Sequence, residues 1–158
     1  MRFENLLFPN NIRVLKRLHK RLNKELFDGQ LNDTIKIDIC NLHNGLFKTS
    51  EKAVAGFCVP NEIIQESILF DNQFIDDIAA YPTQKLQAIA LTHMMLHEMI
   101  HQYCYETGID DHHHGEAWQQ AAEEHGLHIK NEEASGDYSY NEFLKLRPCF
   151  IADTFRIR

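Results

Sequence analysis

Apolar residues recur at three- and four-residue steps near the start of the chain, at Ile12, Leu15, Leu18, Leu22 and Leu26. That is the period of a helix burying one stripe. Arg13, Lys16, Arg17, Lys20 and Lys24 fall on the other side, and Asp28-Gly29 ends the segment, glycine being the usual residue just past a helix. From Thr34 to Ile39 the period changes to two, which predicts a half-buried strand. Asn44-Gly45 marks a turn. Ala53–Val59 and Glu66–Phe70 are short β-prone runs that predict two more strands, with Pro60-Asn61 turning between them. Residues 71–82 read as an acidic connection or a short helix.

A long helix is expected next, from an N-cap at Thr83 after Pro82 to about Glu106. Projected at about 100° per residue, Leu86, Ala90, His93, His97, Ile100, His101 and Cys104 share one stripe, so the histidines belong to the inward face. Gly108 stops this helix, Asp110 to Gly115 form a loop, and a short helix from about Glu116 to Glu124 ends before Gly126. Residues 130–137 read as a solvated loop, and no internal repeat or low-complexity tract is visible. The expectation is one domain over residues 1–158, with its core at about 10–126 and a C-terminal extension over 127–158.

Composition narrows the class. The 158 residues, 44% hydrophobic and 25% charged, suit a soluble globular domain. No apolar run is long enough to span a bilayer, and the first residues carry no secretion-signal pattern, so a cytoplasmic protein without a membrane partner is expected. Cys40, Cys58, Cys104 and Cys149 are widely spaced, which argues against a zinc ribbon and against a disulfide scaffold. The net charge of −7 is uneven. Residues 10–26 hold six Lys/Arg against Glu25, a net +5 that leaves −12 for the rest. From Glu106 to His128 there are six acids and no Lys or Arg.

The chemistry concentrates in His97-Glu98-Met99-Ile100-His101. On a helix, His97 and His101 stack one turn apart and can grip one ion, with Glu98 at its flank. HExxH on a helix reads as two zinc ligands and the general base of a metalloprotease. A catalytic zinc takes a third protein ligand and leaves one position open. His114 is the first choice for that ligand, because the adjacent Gly115 permits close backbone approach and a helix begins just beyond. His112 and His113 are alternatives, as is Glu123 in a thermolysin-like arrangement. A metzincin would need glycine and histidine at positions held by Cys104 and Thr107. His93, one turn before His97, reads as a packing residue rather than a fourth ligand. Tyr103, Tyr105, Tyr138 and Tyr140 are candidate transition-state groups, with aromatic packing the plainer reading of each.

These residues resemble the SprT-like zinc metalloproteases, a family that includes Spartan, the protease of proteins crosslinked to DNA. Leu22 to Leu31 (LNKELFDGQL) is similar to the family's N-terminal segment, Ala55-Gly56-Phe57-Cys58 to a strand, and Ser67 to Phe70 to the strand before the active-site helix. Leu96 to His101 (LHEMIH) and His114 to Trp118 (HGEAW) resemble its two most specific motifs. The resemblance covers about residues 10–126. It implies an α+β, zincin-like minimal metalloprotease domain, with helices on a small three-stranded sheet and an active-site HExxH helix. It also implies Zn2+ held by His97, His101 and His114, with Glu98 catalytic. Many family members add a Cys-rich zinc-binding subdomain that helps hold DNA, and no paired cysteines follow residue 104 here.

The expected activity is zinc-dependent hydrolysis of peptide bonds in a protein substrate, on DNA-bound or DNA-crosslinked proteins in the narrower reading. The alternative is a non-proteolytic zinc-binding adaptor or regulator. The basic helix 10–26 is the candidate surface for weak, sequence-blind DNA binding, which would put the protein at the nucleoid or in a nucleus; the alternative is a solvated helix face. An extended substrate is expected to add as a strand to a sheet edge, assigned to Ser67–Phe70, where Ile68→Pro would raise KM.

Overall fold

The computed structural model describes residues 12–41, 56–59, 66–112 and 114–127. The expected turns at Asn44-Gly45 and Pro60-Asn61, the first residues of the 53–59 run, and everything beyond Leu127 lie outside them, as do Tyr138 and Tyr140. The fold is α+β. Helix α1 (Ile12–Leu26) is followed by strands β1 (Lys36–Cys40), β2 (Gly56–Val59) and β3 (Ser67–Asp71), then helices α2 (Asn72–Ala79), α3 (Gln84–Thr107) and α4 (Glu116–Glu124).

Leu15, Leu18 and Leu22 of α1 are buried as the spacing predicts, whereas Ile12 and Leu26 are half-buried. Val14, His19 and Asn23 are buried too, because the helix packs against both α3 and β1. Beyond its end, Asp28 and Gly29 both take left-handed backbone (φ 52° and 75°) and the amide of Gly29 reaches back to the Asn23 carbonyl at 2.9 Å. Asn23 also pins the returning chain. Its Nδ2 donates to the Leu31 carbonyl at 2.9 Å and its Oδ1 accepts from the Leu31 amide at 3.0 Å.

The described strands form one mixed sheet in the order β1-β3-β2. β1 runs parallel to β3 (Ile37 opposite Ile68) and β2 antiparallel to it (Cys58 opposite Ile68). This corrects the sequence-based placement of Ser67–Phe70 at an edge. The strand is central, and every residue from Ser67 to Asp71 is buried. Its apolar run Ile68-Leu69-Phe70 is what a strand covered on both faces requires. Both sides of its backbone are already paired, so Ile68→Pro would break ladder bonds of the fold rather than a substrate contact.

β3 passes directly into α2. Asp71 closes the strand and caps the helix, its carboxylate accepting from the Gln73 amide at 3.1 Å. The undecided segment is thus helical over most of its length. α3 starts as predicted: Thr83 is its N-cap, with Oγ1 accepting from the Leu86 amide at 3.1 Å. It ends on left-handed Gly108 (φ 75°), whose amide bonds back to the Tyr105 carbonyl.

The single inward stripe expected for α3 understates its burial. Gln87, Ala88, Ile89, Leu91, Thr92, Met95, Leu96, Glu98 and Met99 are buried as well, and Leu86, placed on the stripe, is exposed. The cause is position: α3 is contacted by α1, α2, α4 and β2 at once, so it behaves as a core helix. Among the described residues, no helix is long and apolar enough to cross a membrane.

Candidate metal centre

His97 and His101 lie on α3, one turn apart, with ring centroids 5.2 Å from each other. Their third neighbour comes from the α3–α4 connection. After Gly108 the chain bends through Asp110, whose Oδ1 accepts from the His112 amide at 3.0 Å. His112 is itself forced into left-handed backbone (φ 44°). The bend returns His114 to α3, where its ring centroid sits 4.9 Å from those of both His97 and His101. Gly115 then opens α4, and its amide closes the bend on the Asp111 carbonyl at 2.9 Å. A Cβ at Gly115 would meet the Asp111 oxygen at 3.2 Å and the Cβ of His112 at 3.1 Å, which is why a residue without a side chain stands there. One turn into α4, Gln119 Nε2 holds the His114 carbonyl at 2.8 Å.

The three rings converge through the same atom. Nε2 of His114 is 3.0 Å from Nε2 of His97 and 3.1 Å from Nε2 of His101. Nδ1 of His101 meets Oδ2 of Asp111 at 2.7 Å. A carboxylate on Nδ1 requires the proton there, so Nε2 of His101 carries its lone pair inward. Burial, then the neighbouring imidazoles of His101, His114 and His93, hold the His97 ring well below the usual imidazole range. A neutral His97 has a lone pair to give.

Ring nitrogens this close need either a shared proton or a cation between them. An ion about 2.0–2.1 Å from each nitrogen at tetrahedral angles would hold them about 3.3 Å apart, close to the spacing found. The residues therefore fit a metal ion, and His97, His101 and His114 are the group that could hold one. His93 and Glu123 are not part of that group; His93 is buried on α3 and Glu123 exposed on α4. His112 points away and pairs with Asp110 on the surface at 3.4 Å. His113 lies outside the described residues.

The floor under the rings is Trp118 of α4, fully buried, its ring centroid 4.8, 5.2 and 4.7 Å from those of His97, His101 and His114. Glu98 is buried next to His97. Tyr103 packs between Phe27 and His125, at 5.9 and 4.5 Å, as the packing reading expects, while Tyr105 is exposed.

Two contributors escaped the sequence reading. In the sequence Asp111 is one of six acids between Glu106 and His128, and a carboxylate three residues before a third histidine is the available signal. Trp118 entered only as a motif letter, and its place beneath all three rings depends on the angle between α3 and α4, which no local pattern carries.

Comparison with known families agrees with this geometry. A search of curated proteins and a search of solved structures each gave no match. The SprT-like family model matches residues 15–135, which takes in all but the first three residues of α1, the described sheet, α2, α3 and α4. Over that span, which contains the histidine group, the chain belongs to the SprT-like family.

Proposed function

We propose that the protein is a zinc-dependent endopeptidase, with His97, His101 and His114 holding the ion and Glu98 acting as general base. The convergence of three Nε2 atoms beside a buried glutamate carries this reading. Family membership supports the metal-dependent hydrolytic class. A neutral three-imidazole set suits zinc, which when bound would supply the Lewis acidity that polarises a peptide carbonyl and eases ionisation of water near neutral pH.

The chain's own residues do the rest. Glu98 takes a proton from the attacking water as its oxygen bonds to the carbonyl carbon. It then returns the proton to the amine as the carbon–nitrogen bond breaks. An adaptor that merely held zinc would gain nothing from burying a carboxylate at this position.

With β3 enclosed, the substrate strand moves to another edge. β2 is an outer strand among the described residues, and it packs against α3. An extended peptide paired to β2 would meet the metal helix with little demand on its sequence. DNA-bound proteins are the narrower substrate class. The exposed Arg13, Lys16, Lys20 and Lys24 of α1 are the attachment we assign to DNA.

The test is zinc-loaded protein beside Glu98→Gln, incubated with an unstructured basic protein with and without single-stranded DNA. Cleavage by the unsubstituted protein alone supports the peptidase. Dependence on DNA supports the narrower class, and cleavage without it removes that class. Stoichiometric zinc with no cleavage by either protein would overturn the peptidase in favour of the adaptor.

A further inference from the structure

Asp111 makes two contacts that tie the second candidate ligand to the third. Its side-chain Oδ2 takes the Nδ1 proton of His101 at 2.7 Å. Its backbone carbonyl takes the amide of Gly115, the residue after His114, at 2.9 Å. The side chains of His101 and Asp111 are 17% and 30% exposed, enough shielding for their contact to persist against competing water.

We propose that Asp111 is the positioning residue of the metal centre. It fixes the tautomer and tilt of His101, and it sets the reach of the loop that delivers His114. This inference rests on the reading of the three histidines as ligands. Three neutral imidazoles leave the double charge of the ion uncompensated, and the carboxylate one ring away from it offsets part of that charge. It also makes His101 a better donor, because a proton drawn toward Oδ2 leaves more electron density at Nε2. The neighbouring Asp110 lacks this role. Its carboxylate faces outward to the His112 amide and ring.

The two acids thus make a built-in control. Asp110 and Asp111 are adjacent and equal in charge, and only one touches a candidate ligand. A general electrostatic benefit of acid near the site would be shared by both. A positioning role belongs to Asp111 alone.

The experiment compares the unsubstituted full chain with Asp111→Asn, Asp111→Ala and Asp110→Asn. Each is stripped of metal and titrated with Co2+ and with Zn2+ in competition with a chromophoric chelator. Trp118 is the sole tryptophan of the chain, so its fluorescence reports loading directly beneath the rings. Long-range proton–nitrogen NMR spectra of the metal-free proteins give the tautomer of His101.

We expect Asp111→Ala to weaken metal affinity by about 10–100-fold and to release His101 into a mixture of tautomers. All the variants keep the backbone bond from Gly115. Asp111→Asn also keeps a side-chain oxygen for the Nδ1 proton, so it should retain the tautomer and lose less affinity. Asp110→Asn should bind as the unsubstituted chain does. Unchanged affinity and tautomer in both Asp111 variants would overturn the proposal, as would equal weakening in Asp110→Asn. If the unsubstituted chain takes up neither metal, the ligand reading itself falls, and the role of Asp111 with it.

Discussion

Nε2 of His19 lies 2.8 Å from Oε1 of Gln102 across 83 residues of chain, and both side chains are out of contact with solvent. Gln102 follows the HExxH segment directly and uses its amide as well, donating to the Asn32 carbonyl at 3.1 Å and to Glu106 Oε2. The basic helix and the candidate metal helix are therefore clamped by one glutamine. Gln102→Leu would fill the space and leave His19 and the Asn32 carbonyl without this partner. The expected loss is about 1–3 kcal/mol in urea denaturation, with zinc uptake retained, because His101 and Asp111 are untouched.

Acidity enters through Glu66, just before β3, which faces Glu106 at the end of α3. Burial first, and then the charge of Glu106, push its carboxyl up to about 7. The folded protein thus holds a proton that the unfolded chain releases near 4.5. This contribution is fully present below that lower value and is lost as pH rises through about 7. Glu66→Gln should raise Tm at about pH 8 by roughly 2–4 °C, if the relieved repulsion is worth about 1 kcal/mol. Near pH 5 it should change little, and a similar gain at both pH values would refute the account.

In that same variant the contribution of Glu66 is gone, and two histidines act in the opposite sense. Burial holds His19 below its usual range, and His97 well below it, so both are neutral when folded and take up protons on unfolding. Their contribution is present above about pH 6.5 and is lost as pH falls beneath it. The limiting slope is about 1.4 kcal/mol per pH unit for each ring. Denaturation of the metal-free Glu66→Gln protein across this range should show that fall, and a flat profile would contradict it.

Two glycines on either side of the α3–α4 bend should respond differently to alanine. Gly108 has open space where a Cβ would go but a φ of 75°, so Gly108→Ala should cost about 1–2 kcal/mol of stability and leave metal uptake nearly intact. At Gly115 the backbone is ordinary and the space is taken, by Asp111 and His112. Gly115→Ala should therefore shift His114 and weaken zinc binding by at least tenfold, as read by chelator competition. Equal zinc affinity in the two variants would show that the tight approach at Gly115 does not matter to the ligand.

The acidic remainder of the chain makes DNA binding the sharpest test of α1. Replacing Arg13, Lys16 and Lys20, three of the exposed cations, with Gln should weaken binding at low salt without removing it. If each cation contacts one phosphate of a single strand, the salt dependence should lose roughly 2 units of slope. Binding with an unchanged slope would return α1 to the status of a solvated face.

Punctuation and local pairing were legible in the sequence. Thr83 and Gly108 bracket α3 where predicted because capping chemistry acts within one turn. His97 and His101 were readable together because four residues make a turn, and His114 because a glycine and a helix start flank it. What failed was whatever depends on neighbours distant in sequence. Nothing in Ser67–Phe70 states that strands flank it on both sides, although its unbroken apolar run was a sign of double burial. Leu86 looks like a core residue by phase alone, yet among the described residues no element covers the first turn of α3 at that angle. Asp111 finds His101 only after the chain has turned back on itself.

The direct passage from β3 into α2 sets the strand's alignment as well as its end. Sliding β3 by one position would turn Ile68 and Phe70 to the opposite face and exchange every partner on both flanks. It would also drag α2, which begins on the residue after the strand, out of its packing against α3. A misaligned strand would be penalised twice. The docking of α2 on α3 thus acts as a stop for the sheet, reached only when β3 has settled in its native frame.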